Sequence, residues 1–129
     1  MKTLLAGFGL VCSTFFSCLQ QKSSEFKSVP VDEFATIIVA PDVQLLDVRT
    51  FAEYSEGHIP GSININVLDE AFEIVADSML QKENPVALYC RSGKRSKKAA
   101  SMLSKKGYVV YELEKGFQSW AEVGKEVEK

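Results

Sequence analysis

The chain has 129 residues, 46% of them hydrophobic and 25% charged, with a formal net charge of −2. This length suits one compact domain and is short for two, and the apolar content excludes a disordered or fibrous chain. A slightly acidic balance also lacks the basic surface that a nucleic-acid partner requires.

Met1 and Lys2 make a short positive start, and Leu4 to Phe16 is uncharged and mostly apolar. A run of about 13 residues suits the core of a signal peptide and is short for a membrane span. It closes on Phe15-Phe16-Ser17-Cys18, a small residue directly before a cysteine. This resembles a bacterial lipobox, with Phe15 where an aliphatic residue usually stands. Cys12 fits less well, because Val11 before it is a poor cleavage residue. Residues 1–17 therefore read as a lipoprotein signal peptide, Cys18 as the lipidated residue, 18–27 as a polar tether and 28–129 as the folded domain. The expected location is the cell envelope, periplasm-facing, with the membrane reached through the lipid anchor. Plain secretion and an uncleaved anchor are the alternatives. Once Cys12 leaves and Cys18 is acylated, Cys90 is the thiol that remains. A leftover cysteine in an oxidising compartment is a candidate reactive group, set against the alternative of an inert core residue.

Within the domain, Val43–Val48 reads as a strand, and Thr50 with Glu53 forms a capping box that opens a short helix to Tyr54. Gly57-His58-Ile59-Pro60-Gly61 is a turn, and Ile63–Val67 alternates with the period of a strand. Glu70–Leu80 carries a helical stripe of Ala71, Phe72, Val75, Ala76, Met79 and Leu80. Val86–Tyr89 is wholly apolar, as central parallel strands are. Ser96–Lys106 is a helix that buries Ala99, Ala100 and Leu103, wets Lys97, Lys98, Lys105 and Lys106, and stops at Gly107. Tyr108–Leu113 is a strand and Phe117–Val123 a last helix, with Trp120 in the core. Strands alternating with helices predict an α/β domain with a mainly parallel sheet.

Ligands of such sheets bind beyond the carboxyl ends of the strands, where Cys90 falls. The segment Cys90-Arg91-Ser92-Gly93-Lys94-Arg95-Ser96 leads from the central strand into the long helix. Helix-terminal N–H groups favour negative charge, Arg91, Lys94 and Arg95 add cations, and Gly93 lets the backbone curl into an anion nest. These surroundings favour a nucleophilic thiolate. His58, the only histidine, sits in a Gly/Pro turn and reads as structural. One histidine and one thiol cannot complete a four-ligand zinc site, and no metal or other cofactor is expected. Asp47 and Arg49 straddle Val48 on one face, placed to pair or to brace a loop.

Three segments in order resemble the rhodanese homology domain. They are Leu45-Leu46-Asp47-Val48-Arg49 with Glu53 and Gly57 to Ile65; Val86 to Ser96; and Gly107-Tyr108 followed by Leu113-Glu114-Lys115-Gly116-Phe117 and Trp120. Lys115 stands where the family often has glycine. The resemblance implies a rhodanese-like fold, a five-stranded mainly parallel sheet flanked by helices. It implies a sulfurtransferase in which Cys90 takes a sulfane sulfur from a donor such as thiosulfate, as a persulfide, and passes it to a thiol or cyanide. Arg91, Ser92, Gly93, Lys94, Arg95 and Ser96 would bind the substrate, and Asp47, Arg49 and His58 would support the site. With no second cysteine in the domain, the acceptor thiol is external. A sulfur-carrier or thiol-redox binding module is the alternative. Cell-cycle phosphatases share the fold, but their loop places five residues between cysteine and arginine. Four separate Cys90 from Arg95, a ring better sized for one sulfur than for a phosphate.

Overall fold

The computed structural model describes residues 25–129. The expected signal peptide, the lipidated Cys18 and most of the tether lie outside the described residues. Ten elements follow one another: β1 (Lys27–Val29), α1 (Val31–Ile37), β2 (Gln44–Asp47), α2 (Phe51–Glu56), β3 (Ile63–Asn64), α3 (Phe72–Met79), β4 (Val86–Tyr89), α4 (Lys94–Lys105), β5 (Val110–Leu113) and α5 (Gly116–Glu122). The strands form one sheet in the order β1-β5-β4-β2-β3, and every neighbouring pair is parallel. Parallel neighbours need crossover connections, and the connections that carry helices put those helices on the sheet's faces.

Alternation along the strands divides the interior into two cores. Leu46, Val48, Val86, Leu88, Cys90 and Val110 face Phe72 and Ala76 of α3 and Ala99, Ala100 and Leu103 of α4. Val29, Ala87, Tyr89 and Leu113 point the other way, to Phe34 of α1 and Trp120 of α5. Strand β4 serves both cores, so it is buried at every position, as its apolar run predicts. Cys90 continues its α4-facing row.

Thr50 and Glu53 form the expected capping box, each side chain bonding the other's backbone N–H. The helix it opens runs on to Glu56, two residues beyond the predicted end. Helix α4 starts at Lys94, two residues before the expected Ser96, because Gly93 takes a left-handed conformation (φ 105°) and turns the chain directly into the helix. Helix α3 is shorter than predicted, and Met79 is 49% exposed, off the buried stripe formed by Phe72, Ala76 and Leu80. Strand β3 keeps two of the five predicted residues. Beyond it Ile65 N–H and Val67 N–H still bond the Asp47 and Val48 carbonyls, so the predicted alternation survives as burial of Ile65 and Val67. The edge strand β1 begins at Lys27, within the predicted tether, and α1 had no counterpart in the sequence reading.

Leu88 is fully buried at the centre of β4. Leu88→Ala is expected to lower the unfolding free energy by about 2–5 kcal/mol, measured by urea titration.

Candidate active site

Strand β4 delivers Cys90 to the carboxyl end of the sheet, and the left-handed Gly93 folds the loop back over it. The Gly93 N–H donates to Cys90 Sγ at 3.1 Å, and Sγ lies 3.4 Å from Ser96 Oγ in the first turn of α4. Cys90 is 1% exposed. The sulfur thus has apolar neighbours on its strand side and an amide and a hydroxyl on its loop side.

The loop rests on the turn between β5 and α5. Phe117 N–H donates to the Cys90 carbonyl at 2.8 Å, and Gln118 N–H to that of Arg91 at 3.1 Å. The two backbones are so close that a Cβ on Gly93 would overlap the Glu114 carbonyl oxygen, and one on Gly116 would overlap that of Arg91. Lys115, where a glycine was the family habit, has φ −109°, open to any residue, while Gly116 supplies the positive φ of 75°. The turn therefore keeps its glycine at the position where contact demands it.

The cations of the loop do different things. Arg91 and Lys94 are exposed and form no ion pair among the described residues. Arg95 is held in a two-pronged contact with Glu53, at 2.8 and 2.9 Å, a geometry that fixes orientation as well as charge. Ser92 is exposed at the loop's apex. Arg91 also lines a groove of about 670 Å³ with Arg49, Glu53, Phe117 and Glu122.

Asp47 and Arg49 form a buried ion pair (2.6 Å) on the opposite face, and Arg49 also bonds the Gly57 carbonyl at 2.7 Å. The Arg49 guanidinium lies 4.4 Å from the Phe117 ring centroid, tying this pair to the turn beneath the loop. His58 is likewise engaged away from the sulfur. Its ring stacks on Tyr54 at 3.8 Å, Nδ1 lies 2.9 Å from the Tyr54 carbonyl, and Nε2 lies 3.6 Å from Glu128. Among the described residues no cluster of three or more histidines, cysteines or carboxylates is placed to hold a metal ion.

Sequence reasoning missed two residues. Glu112 of β5 is a fully buried carboxylate that accepts from Ser96 Oγ, from Ser28 Oγ of β1 and from Lys97 Nζ. Lys97, read as part of the wet face and exposed there, is also a staple. Its ammonium, though the side chain is 45% exposed, bonds Glu112, the Gly93 carbonyl and the Glu114 carbonyl. Lys106 likewise pairs with Asp77 at 2.9 Å. The signal available for Glu112 was its spacing two residues from Val110, on a strand face that packs under a helix.

An α/β domain that ends its buried central strand on a cysteine, under a glycine-led helix start, is a thiol site at the mouth of a parallel sheet. Residues 30–123 match the rhodanese-like domain, and the chain belongs to that family. The thiosulfate sulfurtransferase GlpE of Shewanella oneidensis is 33% identical over 100 residues, spanning 77% of this chain and 96% of its own length. The thiosulfate sulfurtransferase PspE of Escherichia coli is 36% identical over 76 residues, spanning 59% of this chain and 72% of its own. A rhodanese-related protein from Thermoplasma volcanium has a similar crystal structure, with a TM-score of 0.68 and 33% identity over 80% of this chain and 98% of that one. These relatives support a sulfurtransferase-type function.

Glu53 links the site to stability. The Arg95 guanidinium, helped by hydrogen bonds from Thr50 and opposed by partial burial, holds its carboxyl at about 2, well below the ordinary 4.5. The folded state therefore binds this proton less readily than the unfolded chain. The stabilisation is complete above about 4.5 and is lost as pH falls toward about 2. Urea unfolding across that window is expected to show stability declining with acid, and Glu53→Gln to flatten the decline while lowering stability at neutral pH.

Proposed function

We propose that this domain is a sulfurtransferase that moves a sulfane sulfur from a small anionic donor such as thiosulfate to an external thiol, or to cyanide in an assay, through a persulfide on Cys90. The observation that carries the reading is the Gly93 amide aimed at Cys90 Sγ from 3.1 Å, at the start of a 12-residue helix. An amide and a helix terminus there favour sulfur carrying negative charge. The exposed Arg91 and Lys94 draw in the donor anion and stabilise departing sulfite, while Ser92, Gly93 and Ser96 close around the bound sulfur and Arg95 holds the helix start in place. The chemistry is covalent and proceeds in two half-reactions, so ping-pong kinetics are expected. Four residues between Cys90 and Arg95 make a ring that suits a single terminal sulfur better than a tetrahedral phosphoryl group, which favours sulfur transfer over phosphatase chemistry on this fold.

The full chain incubated with thiosulfate and cyanide is expected to release thiocyanate. Cys90→Ser is expected to reduce the rate by on the order of a thousandfold or more. Activity that survives the substitution overturns the mechanism. Persulfide detected by mass spectrometry without turnover marks a sulfur carrier instead.

The apolar N-terminal run ending in Ser17-Cys18 supports a second part of the reading, that the domain is tethered to a membrane of the cell envelope through a lipid on Cys18. Cells fed a labelled fatty acid are expected to incorporate the label into the wild-type chain and not into Cys18→Ser. Equal labelling of the two removes the anchor.

A further inference from the structure

We propose that Glu112 is the internal proton acceptor for Cys90, acting through the hydroxyl of Ser96; the role rests on Cys90 being the nucleophile. Two polar groups touch the sulfur. The Gly93 N–H can only donate, so it cannot take the thiol proton. The Ser96 hydroxyl can, because its own proton is already committed. Ser96 Oγ donates to Glu112 Oε2 at 2.5 Å and so presents a lone pair toward Cys90 Sγ at 3.4 Å. Cys90 is 1% exposed, and the Ser96 oxygen is the acceptor already in contact with its thiol.

The carboxylate is held for this task by three side chains from two elements. Glu112 is in register with Ser28 of β1 and Leu88 of β4, on the face that packs under α4. Ser28 donates to Oε1, leaving Oε2 to Ser96 and Lys97. Lys97 is the charged group in contact with Glu112. Arg95 acts on Cys90 from the loop side and is itself bound to Glu53. A fully buried carboxylate is costly unless partnered, and an apolar residue would fill this strand position at lower cost.

In the first half-reaction the Cys90 S–H proton passes to the Ser96 oxygen while the Ser96 proton passes to Glu112. The result is a thiolate, a hydroxyl turned back to donate to it, and a neutral carboxylic acid. The thiolate electron pair forms a bond to the outer sulfur of thiosulfate. The donor's S–S bond breaks, its electron pair leaves on sulfite, and the persulfide keeps one negative charge. In the second, an acceptor thiolate attacks the outer sulfur, the Cys90–sulfur bond breaks, and Glu112 returns its proton through Ser96 to the departing Cys90 thiolate. No proton need cross to solvent in forming the nucleophile.

The test is the rate of Cys90 alkylation by iodoacetamide in the full chain, which does not depend on turnover. Glu112→Gln is expected to slow alkylation near neutral pH by about tenfold to a hundredfold. A carboxylate with only a structural role gives the opposite sign. Removing a negative charge beside the sulfur would favour the thiolate, so an unchanged or faster rate overturns the proposal. Ser96→Ala severs the path while leaving Glu112 its contacts with Ser28 and Lys97, and carries the test if Glu112→Gln does not fold. The same fall is expected, and unchanged alkylation overturns the proposal. The double variant is expected to be no slower than Ser96→Ala, as two members of one relay require. Cys90-dependent thiocyanate release with unaltered alkylation in the variants keeps the sulfur-transfer reading and discards the relay. A slowed variant in a chain that releases no thiocyanate does the reverse.

Discussion

A carboxylate taken wholly out of water must find donors inside the protein, and this sheet contains two of them at its functional end. Asp47 closes β2 and Glu112 sits one residue from the end of β5, and both are fully buried. They lie on opposite faces, Asp47 in register with Tyr89 and Glu112 with Leu88. Satisfying Asp47 recruits Arg49, which in turn holds the Gly57 carbonyl and stacks on Phe117. Satisfying Glu112 recruits Ser28, Ser96 and Lys97, binding the edge strand, the first turn of α4 and the β5–α5 turn into one cluster. Between the two clusters runs the loop from Cys90 to Gly93.

The arrangement divides labour between charges that look alike in the sequence. Arg91 and Lys94 remain open to an incoming anion, whereas Arg95 is committed to Glu53 and Lys97 to Glu112. Glu53 joins the capping box of α2 to α4, so the helix start above the sulfur is braced from a neighbouring helix as well as from the sheet. The electrostatic character of the loop therefore comes from fewer free cations than its composition suggests, together with one amide in direct contact with sulfur.

Much of this was legible in the residues. The apolar run Val86–Tyr89 is typical of a buried strand, Thr50 and Glu53 carry their own reciprocal bonds, and Ala99, Ala100 and Leu103 mark the buried side of α4. These are local signals. What stayed hidden depended on partners far along the chain. Strand β1 has three residues and buries only Val29, and α1 buries only Phe34, so neither shows a periodic pattern beside the polar segment before it. Glu112 looks like an ordinary charged residue near a strand end until register sets it against Ser28, 84 residues away. Lys97 has the spacing of a wet helix face, and only the packing of that helix end against β5 turns its ammonium inward.

The seam where Gly93 meets Glu114 and Gly116 meets Arg91 has no room for a Cβ, and the Lys97 ammonium spans its first contact. Such a seam limits how the site can diverge. A larger ring around the sulfur cannot be reached by exchanging side chains along Cys90–Ser96, because both flanking backbones already touch. It needs an inserted residue together with a displaced β5–α5 turn, two changes that are each damaging alone. Descendants of this sequence are thus free to vary the exposed Arg91, Lys94 and the groove beside Arg91, while the space around the Cys90 sulfur stays one size.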